Sequence, residues 1–203
     1  MNEVQSFLGG MFGTRAVEIV AVLCGLANVL LIIRRSLWNY PFGLVMVTLY
    51  AWIFFNARLY SDSILQVFFF IIQLFGIVWW IRGRNCGGEL MVRKLPVRQL
   101  QITAAVAVCG IAAMGGVMAN WTNAALPYPD AAVMVLSVVA QMLLARRFVE
   151  NWVLWIIVDV IAIGVYVAKD LHPTAALYGI FLILAIAGLL DWRRAAERQG
   201  EEA

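Results

Sequence analysis

Seven runs of roughly 15 to 21 residues, almost free of charge, follow one another along the chain: Ala16 to Ile33, Pro41 to Asn56, Ser63 to Ile81, Ile102 to Trp121, Ala131 to Ala145, Trp152 to Ala168 and Pro173 to Leu190. Each is long enough to cross a hydrocarbon layer of about 30 Å as a helix and about twice what a barrel strand needs. With 64% of residues hydrophobic and 13% charged, no soluble domain fits, and the expected class is an all-α integral membrane protein with seven transmembrane helices. The first run follows Met1 without a basic leader, so it is expected to be retained and not cleaved as a secretion signal.

The charges between the runs orient them. Of the 15 basic residues, 12 lie on the side facing away from the N-terminus: Arg34 and Arg35, then Arg82, Arg84, Arg93, Lys94 and Arg98, then Arg146 and Arg147, then Arg193, Arg194 and Arg198. Only Arg15, Arg58 and Lys169 stand on the other. Basic loops stay in the cytoplasm, so the N-terminus is expected outside and the C-terminus inside. The net charge of +3 is then a topology signal, and nothing beyond it supports a nucleic-acid partner. Cys24 and Cys109 fall inside helices as small hydrophobes, and Cys86 falls in a cytoplasmic loop where disulfides are disfavoured. No spacing suggests a metal site or cofactor; His172, before Pro173, reads as a helix-entrance residue or, less simply, a proton carrier.

The chain repeats itself at an offset of 112 residues without a gap. Arg34-Arg35 falls on Arg146-Arg147, Asn39 on Asn151, Leu59 on Leu171, Leu65 on Leu177, Phe69 on Phe181, Gly76 on Gly188, Trp80 on Trp192 and Arg82 on Arg194. Apolar coincidences are cheap between membrane helices; the Arg-Arg, Asn, Gly, Trp and Arg punctuation carries the inference. The expected organisation is a first three-helix repeat with its cytoplasmic connector (1–100), a linking helix (101–125), a second three-helix repeat (126–194) and a cytoplasmic tail (195–203), the tail frayed. An odd unit inverts its copy and the extra crossing restores the sense, which gives 3+1+3 parallel repeats, the plan of the SWEET transporters. Gly110, Ala112, Ala113, Gly115, Gly116 and Ala119 mark the linking helix as a shallow packing surface.

Polar residues inside the runs point to a lined cavity. Asp159 is the sole carboxylate in the middle of any run, with no basic residue inside the helices to neutralise it, and a charge at bilayer depth is costly unless it meets water, a partner or a ligand. Trp155, Asp159, Ala162 and Tyr166 share one helical face at i, i+4, i+7 and i+11. Gln66 and Gln73 share another with Phe69 and Phe70; Ser137 and Gln141 are one turn apart; Asn28 and Tyr178 stand on the first and last helices. For the amides, two readings stand side by side: hydrogen bonds between helices, or contacts to a polar solute. Trp38, Trp79, Trp80 and Trp192 read as interfacial anchors, and Trp152 as either an anchor or part of the lining. Carboxylate, aromatic faces and amides together suit a flat, cationic solute bearing hydroxyls or an amide, and argue against a fatty or anionic one.

Trp38-Asn39-Tyr40-Pro41-Phe42-Gly43, then Asn56-Ala57-Arg58-Leu59-Tyr60-Ser61-Asp62 with Leu65-Gln66, and Asn151-Trp152 through Trp155 to Asp159 resemble the PnuC family of bacterial nicotinamide riboside transporters, from about Ala16 to Arg194. The resemblance implies a seven-helix vitamin B3 carrier of the bacterial inner membrane, assembled as a homotrimer. It implies facilitated diffusion by alternating access, with a cytoplasmic riboside kinase trapping the product by phosphorylation. Relatives in the family carry other vitamins such as thiamine or riboflavin. The lining residues expected to bind substrate are Trp152, Trp155, Asp159, Gln66, Gln73, Gln141, Tyr178, Tyr166 and Asn28. A SWEET-type sugar carrier shares the plan, but a neutral sugar poorly matches an unpaired Asp159. An embedded enzyme is not expected, since no nucleophile-base pair, His/Cys/Asp cluster or phosphate loop is present.

Overall fold

The computed structural model describes residues 2–56, 60–84, 89–122 and 125–201. Seven α-helices carry almost all of it: α1 (Asn2–Ile33), α2 (Asn39–Asn56), α3 (Tyr60–Arg82), α4 (Val97–Trp121), α5 (Pro127–Ala145), α6 (Asn151–Ala168) and α7 (His172–Glu201). Their starts follow proline chemistry: Pro41, Pro127 and Pro173 stand in first turns and Pro96 just before α4, where the missing N–H costs no helical bond. Among the described residues, six helices are long and apolar enough to cross a membrane; α2, with asparagine at both ends, falls outside that set. The seventh expected crossing therefore rests on the charge pattern and not on the apolarity of α2.

The turns after α1 and α5 are built alike. Arg35 and Arg147 both adopt left-handed backbone, at φ 53° and 66°, and close their helices as a C-terminal cap does. The Arg35 amide donates to the Ile32 carbonyl and the Arg147 amide to that of Leu144, both at 2.9 Å. The Ser36 amide reaches Leu31 at 2.9 Å and the Phe148 amide reaches Leu143 at 3.0 Å. Asn39 Nδ2 donates to the Ser36 carbonyl and Asn151 Nδ2 to the Phe148 carbonyl, both at 2.6 Å. Each pair is offset by 112 residues, so each asparagine re-enters its helix by anchoring the same turn position.

The chain forms two compact units, Met1–Val78 and Trp79–Ala203. In the first, α1 packs along α2. In the second, α4 lies on α5, α5 on α6 and α6 on α7, with Ala107, Leu136 and Val158 at the centre. Large apolar side chains such as Leu23, Phe55, Ile64, Phe75, Val108 and Ile183 remain exposed, as helices that meet lipid tails require.

Three expectations are corrected here. Trp80 and Trp192 are 1% and 0% exposed, core residues and not interfacial anchors: their rings meet at 6.0 Å, and Trp80 Nε1 donates to the Leu144 carbonyl. Trp38, at 70% exposure, does lie at the surface. The C-terminal tail is helical to Glu201, Ala195 is buried, and Gln199 clamps the connector by accepting from the Val92 amide and donating to the Leu90 carbonyl. Two of the three glycines of α4 receive side chains as their nearest neighbours, Gly115 the Tyr128 ring and Gly110 Val135, while Gly116 has none among the described residues. Cys24 and Cys109 are free thiols; Cys86, Arg58 and Leu59 lie outside the described residues.

Candidate functional site

Trp155, Asp159, Ala162 and Tyr166 follow one another along α6. Asp159 and Ala162 are buried and Trp155 and Tyr166 half-buried along it. Asp159 is 4% exposed, and among the described residues it has neither a hydrogen bond nor an ion pair. The Lys169 ammonium, one helix end away, is committed to Asp130 at 2.9 and 3.0 Å. A carboxylate so placed is costly while it is charged, and a cation or donors supplied from outside the fold would lower that cost.

Trp155 rests on the apolar cluster of Ala107, Leu136 and Val158 beside Leu154 and Ile161, which holds one flank of its indole. Farther along α6, the Tyr166 ring stacks on Tyr178 of α7 at 5.2 Å with 28° between planes, and Tyr178 meets Phe181 edge-on at 6.2 Å. On α5, Ser137 is buried and Gln141 half-buried, one turn apart. Trp152 sits apart from this face. It is 3% exposed, lies edge-on to Trp192 at 5.7 Å, and covers Gly188 so closely that a methyl group there would come within 2.6 Å of the ring. Its buried Nε1 has no acceptor among the described residues.

In the first unit, three helices bring amides together over a glycine. Asn28 Nδ2 of α1 donates to the Asn39 carbonyl at 2.8 Å. Gln73 of α3 is buried and its Oε1 has no donor among the described residues. Both amides lie over Gly43 of α2, where an added methyl group would run into Gln73 Oε1 and approach Asn28 Nδ2 to 2.5 Å. Asn28 thus serves the helix-to-helix reading, while the Gln73 oxygen keeps an open acceptor position. Gln66 stands half-buried two turns before Gln73. Among the described residues, no group of three or more His, Cys, Asp or Glu could hold a metal.

Residues 15–194 match the family model described as nicotinamide mononucleotide transporter. The chain is 32% identical to the nicotinamide riboside transporter PnuC of Escherichia coli (strain K12), over 92% of this chain and 89% of that one. It is 28% identical to the riboflavin/roseoflavin transporter RibM of Streptomyces davaonensis, over 86% of this chain and 83% of the relative. A crystal structure of the vitamin B3 transporter PnuC superposes with a TM-score of 0.75 at 25% identity, covering 97% of this chain and 88% of that one.

Proposed function

Because the chain belongs to the nicotinamide mononucleotide transporter family and is a relative of the PnuC carriers, we propose that it carries nicotinamide riboside, with the cationic pyridinium held beside Asp159 and against Trp155. The observation that carries this reading is the unpartnered carboxylate of Asp159, 4% exposed in an otherwise uncharged helix. A cation on a flat ring supplies the missing charge, and the indole supplies a stacking surface. The same carboxylate favours the riboside over the mononucleotide. A phosphate near Asp159 is repelled, and α6 carries neither Lys nor Arg to offset it. The neutral ring of riboflavin leaves the charge unmatched; thiamine, also cationic, is the competing vitamin.

Gln141, Tyr166 and Tyr178 are the further contacts proposed in the second unit; in the first unit by itself, Gln66 and Gln73 are proposed as polar contacts to a solute. Trp152 takes part only through its Nε1, since the ring is spent on packing, and Asn28 through orienting its neighbours.

The architecture proposed is seven crossings in 3+1+3 parallel repeats, a SWEET-like plan, with the N-terminus outside and the C-terminus in the cytoplasm of the inner membrane. The matching turns at Arg35 and Arg147 support it, as does a second pair of matching contacts: Tyr40 covers Gly76 as Trp152 covers Gly188. The halves then diverge where chemistry is expected. At the same offset, Gly43, Asn28 and Gln73 correspond to Trp155, Ala140 and Ala185, and Val47 corresponds to Asp159. Where the first half sets two amides over a glycine, the second has an indole at the glycine's position and buried alanines at the positions of the two amides. Large and small positions exchange so that each half stays packed, one polar through amides and the other through a ring and a carboxylate.

Transport is proposed as facilitated diffusion by alternating access in a homotrimer, with a cytoplasmic kinase consuming the product. Asp159 has no ionisable partner among the described residues, and a proton relay needs a chain of them. A competition titration on the purified protein tests the substrate: nicotinamide riboside should displace a bound probe before its mononucleotide, riboflavin or glucose, and preference for any of these three would sink the reading.

A further inference from the structure

We propose that a basic cleft in the second unit, set at the ends of α3 and α5 and the start of α4, is a binding site for a phosphate group. The cleft has a volume of about 400 Å³ and is lined by Arg82, Arg93, Lys94, Arg146 and Arg147 with Trp79, Pro96, Gln99 and Phe148. Five cationic side chains converge on it and no carboxylate lines it. Glu150, close in sequence to Arg147, has an oxygen engaged by the Leu95 amide at 3.0 Å.

The bland explanation is orientation in the membrane, which these residues also serve. Orientation requires only a count of charges on one side. It does not require that they converge, or that they be held in place, and here they are. The Arg93 guanidinium lies over the Phe148 ring and the Arg146 guanidinium over the Trp79 ring, each at 5.4 Å from the centroid. A guanidinium drawn to a ring face is held near the cleft by that contact, and its fork of N–H donors matches phosphate oxygens. Arg147 is fixed more firmly, with Nη1 donating to the carbonyls of Gly83 and Met91 at 2.9 Å each, so it shapes the wall and adds its field. Backbone bonds of 2.9 Å from the Arg93 amide to Arg147 and from the Val149 amide to Arg93 hold the two walls together. The start of α4, whose first turn has no acidic residue and no side-chain cap, adds the positive end of a helix dipole.

The shared chemistry is a phosphate bearing at least one negative charge, from either of two sources. An anionic lipid of the cytoplasmic leaflet would present it as a phosphodiester, as basic pockets at the ends of membrane helices accept. A soluble phosphomonoester would present it as a dianion. This site is independent of the substrate assigned to Asp159.

The test uses the full chain and the triple variant Arg93→Gln/Lys94→Gln/Arg146→Gln. In one arm, protein in nonionic detergent is titrated with inorganic phosphate and with adenosine monophosphate. In the other, protein passed through nanodiscs of phosphatidylcholine containing phosphatidylglycerol is examined by native mass spectrometry for retained lipid. Wild type should bind in at least one arm, and the arm that responds names the source. At about fivefold per cation removed, the triple variant should bind on the order of a hundredfold more weakly, and wild-type binding should fall with salt. Arg146→Lys keeps the charge count and loses the fork, so it should weaken binding severalfold, and it decides the matter if the triple variant misfolds. Absence of binding in both arms, or variants that bind as wild type does, would overturn the site.

Discussion

Replacing Asp159 by asparagine keeps the side chain's shape and removes its charge, and its expected consequences differ in the free and loaded protein. With no ligand, the carboxylate is 4% exposed and unpartnered among the described residues; neutralising it should leave the melting temperature unchanged or raise it, because a buried charge without a partner destabilises. With ligand, the variant loses the partner of a desolvated cation, which costs on the order of 2 to 5 kcal/mol. The lower bound is a factor of about thirty in Kd. Isothermal titration of purified wild type and Asp159→Asn with nicotinamide riboside, beside a thermal melt of each, reads both halves. Unchanged affinity would refute the reasoning and make the aspartate a structural residue. Lost affinity with a collapsed melt would do so too, because it would show that the carboxylate holds the fold through a contact and not the ligand.

Other outcomes follow from neighbouring contacts. Trp155→Phe should bind riboside more tightly than Trp155→Ala in the same titration, since a stacking face survives in the first; equal losses would place the ring elsewhere. Gly188→Ala puts a methyl group within 2.6 Å of the Trp152 ring and should lower stability by about 1 to 3 kcal/mol, as overpacked cores do, with part of the loss recovered by Trp152→Phe; a neutral substitution would show that the indole core yields easily. Cysteines introduced beside Arg146 should react with a membrane-impermeant thiol reagent only from the cytoplasmic side, and labelling in intact cells would reverse the orientation.

The inner helix limits were legible because they are marked by residues with few alternatives, prolines in first turns and arginine pairs at the ends, whereas α1 and α7 run on to Asn2 and Glu201, beyond the apolar runs Ala16 to Ile33 and Pro173 to Leu190. Asp159 was legible because a lone carboxylate in an apolar run is costly wherever it lands. Trp80 and Trp192 were misread as anchors because a tryptophan at the end of a membrane helix looks the same whether it meets lipid or another indole, and the packing against Trp152 is a tertiary choice. The helical tail escaped notice because Gln199 bonds to Leu90 across 109 positions, and no local pattern encodes such a partner. The roles of Gly76 and Gly188 lay half in view: the 112-residue offset marked Gly76 with Gly188, but only the structure shows a tyrosine covering one and an indole the other. The basic residues were counted for orientation, and a count carries nothing about convergence.

Uptake into liposomes containing only this protein tests the central claim most directly. Labelled nicotinamide riboside should enter until inside and outside concentrations are equal, whether or not a proton or sodium gradient is imposed, while its mononucleotide stays outside. Entry of the mononucleotide in preference to the riboside, or accumulation of unmodified riboside beyond equality when a gradient is applied, would contradict the account.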